Sequence, residues 1–262
     1  MSELRALVSG IAMGESPRWR DGQVWFCDWG TGRVVRADPD TGATTVVAEL
    51  GDMPVCIDWL PGGRLLAVSG QKGLLMQVDD DGTLKQHAVL GAGRWNEIVV
   101  DPRGNVFVND IGFDFPGGEF RPGRICVLTP GSDQPREVAG GLAFPNGMAV
   151  RGDTLIVAES YAGRLTAFDI APDGGLSHRR EFAAVEESAP DGICVDAEGA
   201  VWFADVPNQR CVRVAEGGAI LRTVDADRGC FSCAVHEDTL YITANNWGGN
   251  GAGEGVVYAA TV

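Results

Sequence analysis

A polar residue that opens an apolar run recurs along this chain at Glu15, Cys56, Asn96, Asn146, Asp191 and Ser232, in steps of 41, 40, 50, 45 and 41 residues. The clearest copy is Ala143-Phe-Pro-Asn-Gly-Met-Ala-Val150. A unit of about forty residues cannot bury its own apolar face, so such units stack on one another, and this period is that of propeller blades. The expectation is an all-β, six-bladed β-propeller occupying residues 1–262 as a single domain, with four antiparallel strands in each blade.

The spacing of turn residues supports that reading within each unit. In the first, Arg20-Asp-Gly22 and Asp38-Pro-Asp-Thr-Gly42 place Asp, Pro and Gly between short apolar runs, where hairpin turns want them. A glycine begins the third strand 17 residues after the opening residue in units one, two and four, at Gly32, Gly73 and Gly163. Units three and six reach theirs, Gly123 and Gly255, only after 27 and 23 residues. The excess is therefore inserted between the second and third strands, at 112–121 and 245–253. Strands one and two run antiparallel, so both insertions overhang the face where the opening residues lie. Long loops on one face of a repeat array usually carry binding. Phe113, Phe115 and Trp247 are accordingly expected to face a ligand, against the alternative that the loops are tolerated surface extensions. The sixth unit lacks a fourth strand, which Leu4–Val8 can supply to close the ring.

First strands line a propeller's axis, so Glu15, Cys56, Asn96, Asn146, Asp191 and Ser232 should converge. Two carboxylates and two amides brought together without water would be costly, and a bound divalent cation removes the cost. Oxygen ligands favour Ca²⁺, with Mg²⁺ or Mn²⁺ also admitted and Zn²⁺ not excluded. The alternative is that these side chains bond to neighbouring blades or channel water with no metal. A second aligned set, Asp28, Ser69, Asp110, Glu159, Asp205 and Asn245, stands where the second strands end. Capping turns and orienting the ligands is its expected work, with a direct role open for Asp110 or Asp205. Arg94, two residues before Asn96, either grips a polar substrate group at the same mouth or forms an inter-blade salt bridge.

Charge and composition narrow the partners. A net charge of −15 disfavours nucleic acid and anionic membranes, and no run is long and apolar enough to span a bilayer. The N-terminal residues lack a signal-peptide pattern, so a cytoplasmic protein is expected, monomeric or weakly self-associating. Seven cysteines, several within apolar strands, read as reduced, buried thiols, and the Cys230/Cys233 spacing as accidental. His87, His178 and His236 lie away from the opening residues, and no serine has nucleophile-elbow glycines, which disfavours a serine hydrolase.

At four stretches the chain resembles the senescence marker protein 30, gluconolactonase and luciferin-regenerating enzyme family of six-bladed propellers. They are Gly14-Glu-Ser-Pro-Arg-Trp19, Arg94-Trp-Asn-Glu-Ile-Val-Val-Asp-Pro-Arg-Gly104, Phe144-Pro-Asn-Gly147 and Pro190-Asp-Gly-Ile-Cys-Val-Asp196. The resemblance covers essentially the whole length. It implies a metal held by Glu15, Asn146 and Asp191 with Asn96 beside it, Arg94 and Asn96 as substrate contacts, and Asp191 as general base. Ser16 stands where the family often has glycine, and Glu97 replaces the usual aspartate, which would move a substrate-facing carboxylate outward. The implied activity is metal-dependent opening of a small-molecule lactone, either a sugar lactone or another small cyclic ester. The alternatives are a related esterase or organophosphate hydrolase, and a non-catalytic calcium- or ligand-binding propeller.

Overall fold

In the computed structural model, which describes residues 4–246 and 253–262, every repeat unit is a four-stranded antiparallel sheet. The chain begins with β1 (Leu4–Ile11), which belongs to the last sheet. The first blade follows as β2 (Gly14–Arg20), β3 (Gln23–Asp28), β4 (Arg33–Ala37) and β5 (Thr44–Glu49). The second is β6 (Val55–Trp59), β7 (Leu65–Ser69), β8 (Leu74–Val78) and β9 (Leu84–Val89). The third is β10 (Trp95–Val100), β11 (Val106–Asp110), β12 (Gly123–Leu128) and β13 (Arg136–Leu142). The fourth is β14 (Pro145–Arg151), β15 (Thr154–Glu159), β16 (Arg164–Ile170) and β17 (Leu176–Ala184). The fifth is β18 (Pro190–Val195), β19 (Val201–Asp205), β20 (Arg210–Val214) and β21 (Ile220–Asp225). The sixth is β22 (Gly229–His236), β23 (Thr239–Asn245), β24 (Gly255–Thr261) and, on its outer edge, β1.

The inner strands touch in the cyclic order β2, β6, β10, β14, β18, β22 and back to β2, so the blades close a six-bladed propeller. β1 pairs antiparallel with β24 from Leu4↔Ala260 to Ile11↔Gly255, which covers the edge that the sixth blade would otherwise expose. Hairpin chemistry sets the registers. Asp21 and Gly22, with φ of 50° and 75°, form the turn between β2 and β3, where two successive left-handed residues match the strand twist.

Period-2 alternation builds the core. In β7, Leu65 and Ala67 pack toward the first blade while Leu66 and Val68 pack toward the third. Repeated around the ring, this gives six apolar layers, one at each blade interface, and no single central core. Both faces of a blade are buried, so middle strands such as β7 and β19 are buried throughout and apolar up to their last residue, Ser69 and Asp205. All seven cysteines are free, and Cys233 faces Cys194 of the neighbouring blade, with Sγ atoms 3.9 Å apart, not Cys230.

The inner strands approach closely where they cross. A Cβ added to Gly192 would lie 1.9 Å from Ser232 Oγ and 2.6 Å from its Cα. Gly192→Ala is therefore expected to force β18 and β22 apart and to cost about 1–3 kcal/mol. Urea unfolding checks it, and an unchanged midpoint would mean that the crossing can relax.

Candidate active site

Each inner strand starts the same way. Its first residue pairs with the last residue of the second strand, as in Gly14↔Asp28, Trp95↔Asp110, Pro145↔Glu159 and Pro190↔Asp205. The opening residue comes next, and in these four blades a β-bulge follows it. A bulge re-aims side chains, and here the opening side chains line a cavity over the axis. Glu15, Asn96, Asn146 and Asp191 all border that cavity, whose volume is about 1090 Å³.

Two of the six expected axial positions differ. In the sixth blade the cavity is bordered by Phe231, not Ser232. β22 is one residue longer than β2, and Ser232 is its fourth residue, not its second, where it packs against Gly192. Cys56 does occupy the second position of β6, but its thiol donates to the Asn96 carbonyl at 2.8 Å and does not reach the cavity wall. The axial donor set is thus Glu15, Asn96, Asn146 and Asp191.

Residues at the ends of the second strands hold the entering segments in place. Asp28 accepts from the Met13 N–H at 2.9 Å, Asp110 from Arg94 at 2.9 Å, Glu159 from Ala143 at 2.7 Å and Asp205 from Ala189 at 3.2 Å. Each carboxylate thereby fixes the backbone just ahead of an opening residue. A guanidinium from the third strand neutralises three of them: Arg124 on Asp110, Arg164 on Glu159 and Arg210 on Asp205, at 3.0–3.1 Å. Among these carboxylates, none borders the cavity.

Electrostatics distinguishes the axial carboxyls from that outer set. Burial first, then the charges of Asp191 and Glu97, push Glu15 well above the usual carboxylate range, and the Ser16 N–H and Arg18 offset only part of this. Burial and Glu97 likewise raise Asp191, against hydrogen bonds from Asn146 and the Gly192 N–H. Arg18 is paired with Glu97 at 3.3 Å, and among the described residues Glu15 and Asp191 form no salt bridge. One buried and one half-buried carboxyl that cannot both ionise cheaply, flanked by two amides, are a donor set suited to a hard divalent cation. No three His, Cys, Asp or Glu side chains converge among the described residues, so any such ion would rest on the mixed carboxyl and amide set. The amides are in place: Asn96 Nδ2 donates to Asn146 Oδ1 at 3.0 Å, and Asn109 Nδ2 to the Asn146 carbonyl at 2.6 Å.

The remaining expected site residues divide. Arg94 stands at the mouth, where its Nε donates to Asp114 of the 112–121 loop, within its own blade and not across to another. Phe115 lies in the cavity wall, but Phe113 does not: it is buried beneath the rim against Ile111 and Phe144. Glu97, the residue after the opening one, is buried against Arg18 and takes no place in the wall. Ser16, at the corresponding place in the first blade, has φ 50°, the conformation that favours glycine, and its hydroxyl accepts from the Ile57 N–H at 3.0 Å. Trp247 and most of the 245–253 loop lie outside the described residues.

Sequence reasoning missed most of the wall, although a signal exists. The residue after each second-strand terminus borders the cavity: Trp29, Gly70, Ile111, Ser160, Val206 and Asn246. So does the residue two before each opening position: Met13, Pro54, Arg94, Phe144, Ala189 and Gly229. Reading the repeat at these offsets would have found the wall.

The model of the SMP-30/gluconolactonase/LRE-like region matches residues 13–246. Pentonolactonase XacC of Haloferax volcanii is 28% identical over 97% of this chain and 89% of its own. Regucalcin of Oryctolagus cuniculus is 27% identical over 88% of this chain and 82% of its own. Among solved structures, a luciferin-regenerating enzyme superposes with a TM-score of 0.85 at 20% identity, covering 100% of this chain and 96% of the other. A gluconolactonase from Xanthomonas campestris gives 0.80 at 21%, covering 100% and 90%. A calcium-binding regucalcin from Agrobacterium tumefaciens gives 0.83 at 19%, covering 99% and 93%. At these identities the structural likenesses establish the fold alone.

Proposed function

The chain belongs to the SMP-30/gluconolactonase/LRE-like family, and on that premise we propose that it is a divalent-cation-dependent hydrolase that opens a lactone or another small cyclic ester. The observation that carries this reading is the pair of buried Glu15 and half-buried Asp191, unpaired with a base and open to a deep cavity. Relatives named for lactone hydrolysis and for calcium binding support the two halves of the proposal.

Glu15, Asn146 and Asp191 would hold the cation, with Asn96 beside it. When bound, a divalent cation supplies positive charge that polarises a carbonyl oxygen and acidifies water. The Ca²⁺ ion suits the oxygen-only set, and Mg²⁺, Mn²⁺ or Zn²⁺ are the competitors to test. Asp191 would take a proton from the attacking water, and its hydrogen bonds from Asn146 and the Gly192 N–H support that role by orienting the carboxylate. Arg94, tethered by Asp114, sets a cation at the mouth, where a carbonyl or hydroxyl of the incoming ester would meet it.

The test is a metal titration joined to a lactone panel followed with a pH indicator, since ring opening releases acid. Calcium at a hundredfold excess over its Kd should raise stability by about 2.7 kcal/mol, and so raise the Tm by roughly 5–10 °C. Activity should vanish with chelator and return with the ion. Tight binding without turnover of any lactone would leave a non-catalytic binding propeller in its place.

A further inference from the structure

The cavity is larger and drier than a sugar ring needs. At about 1090 Å³ it stands at the upper end of small-molecule sites. A polyhydroxylated lactone must exchange its water contacts for protein donors and acceptors, and each hydroxyl left without a partner costs about 1–3 kcal/mol. Near the axial carboxyls those partners are already committed. Ser160 Oγ donates to the Pro190 carbonyl at 2.7 Å and accepts from Asn146 Nδ2 at 3.3 Å. The Arg94 guanidinium gives Nε to Asp114 and Nη1 to the Gly93 carbonyl, which leaves Nη2 for the ester group, and the Asn96 and Asn146 amides bond to each other. Among the described residues, the two tryptophans in the wall also turn their polar ends away. Trp29 Nε1 donates to the Val55 carbonyl at 2.7 Å and Trp95 Nε1 to the Gly91 carbonyl at 2.8 Å, so carbon surface is what they offer the cavity.

One side of the mouth is a continuous aromatic ridge. Buried Phe113 is its hub, with ring centroids 5.6 Å from Phe120 and from Phe144 and 5.7 Å from Tyr161. Phe144 meets Phe115 and Tyr161 at 5.0 Å each. Phe115 and Tyr161 border the cavity while remaining 40% and 54% exposed. Large aromatics kept in water beside a reactive centre mark a surface that an apolar partner covers.

We propose that the lactone taken by this cavity carries an aryl or similarly flat apolar substituent, its ester group over Glu15 and Asp191 and its ring against Phe115, Phe144 and Tyr161. This assignment of substrate class rests on the hydrolase reading and sharpens it. It also places most of the polar demand of recognition on the ester group, with the exposed Gln71 and Gln209 as further amides in the wall.

The experiment compares δ-phenyl-δ-valerolactone with glucono-δ-lactone, both of which release an aliphatic alcohol. In parallel, calorimetry measures binding of the corresponding non-hydrolysed lactams. The expected result is a kcat/KM at least about thirtyfold higher for the phenyl lactone, and tighter binding of the phenyl lactam. Phe115→Ala and Tyr161→Ala should each cut that preference several-fold. A preference for the glucono compound in turnover or binding overturns the inference and leaves the hydrolase reading intact, as would alanine variants that lower both substrates by one common factor. Tight, Phe115-dependent binding of the phenyl lactam with no lactone turned over would support the inference while defeating the hydrolase reading.

Discussion

Asp191→Asn is expected to lower kcat/KM for lactone opening by about three orders of magnitude while leaving the fold intact. The exchange is isosteric, so the contact with Asn146 and the packing of Gly192 on Ser232 can persist. What disappears is a negative charge in a buried pair and the group placed to accept the water's proton. General-base loss alone is worth about 10²–10⁴, and loss of a carboxylate ligand adds a penalty that excess cation can repair. The two parts separate experimentally. In Glu15→Gln, saturating calcium should restore most of kcat, whereas in Asp191→Asn it should restore occupancy without activity. Full turnover by a fully loaded Asp191→Asn protein would remove Asp191 from the role of base.

Removing β1, residues 4–11, should have the largest effect on stability. Leu7, Val8 and Ile11 are all buried in the layer between the sixth and first blades. At about 1.5–3 kcal/mol for each buried side chain, the loss is roughly 5–9 kcal/mol, against a total stability of about 5–15 kcal/mol for an ordinary domain. The same deletion bares β24 along its length and invites edge-to-edge association. Urea unfolding and size-exclusion chromatography would read this as a lost cooperative transition and soluble aggregate. A shortened chain that still unfolded in one transition within about 1 kcal/mol of the parent would show that closure by β1 is dispensable.

The architecture was legible because period and turn chemistry agree at every level. A forty-residue period, Asp-Gly turns and a glycine at the start of third strands each point to blades, and strands such as β3 and β12 begin within a residue of where those signals put them. The axial set was legible for five blades because the opening residue keeps one place, second in its strand, from Glu15 to Asp191. It failed in the sixth because β22 and β23 are each one residue longer than β2 and β3, with no composition signal, so that Phe231 was passed over for Ser232. Phe113 was misplaced for a different reason. Aromatic content shows that a loop binds or packs, and which ring turns inward depends on Phe144 and Ile111, distant in sequence from each other but adjacent in the rim. The wall escaped because its residues are chemically varied, from Gly70 to Trp29, and share only an offset.

The outer carboxylates tie down backbone, not the opening side chains, and this separates two kinds of inheritance. An opening residue is not the group that anchors the segment before it, so glutamate, asparagine and aspartate can all sit on equivalent supports. The axis is therefore a socket with interchangeable pins. Cys56 and Phe231 are the two pins without a cation-binding oxygen, and the natural places to install new donors when re-tooling this scaffold for another ion or reaction.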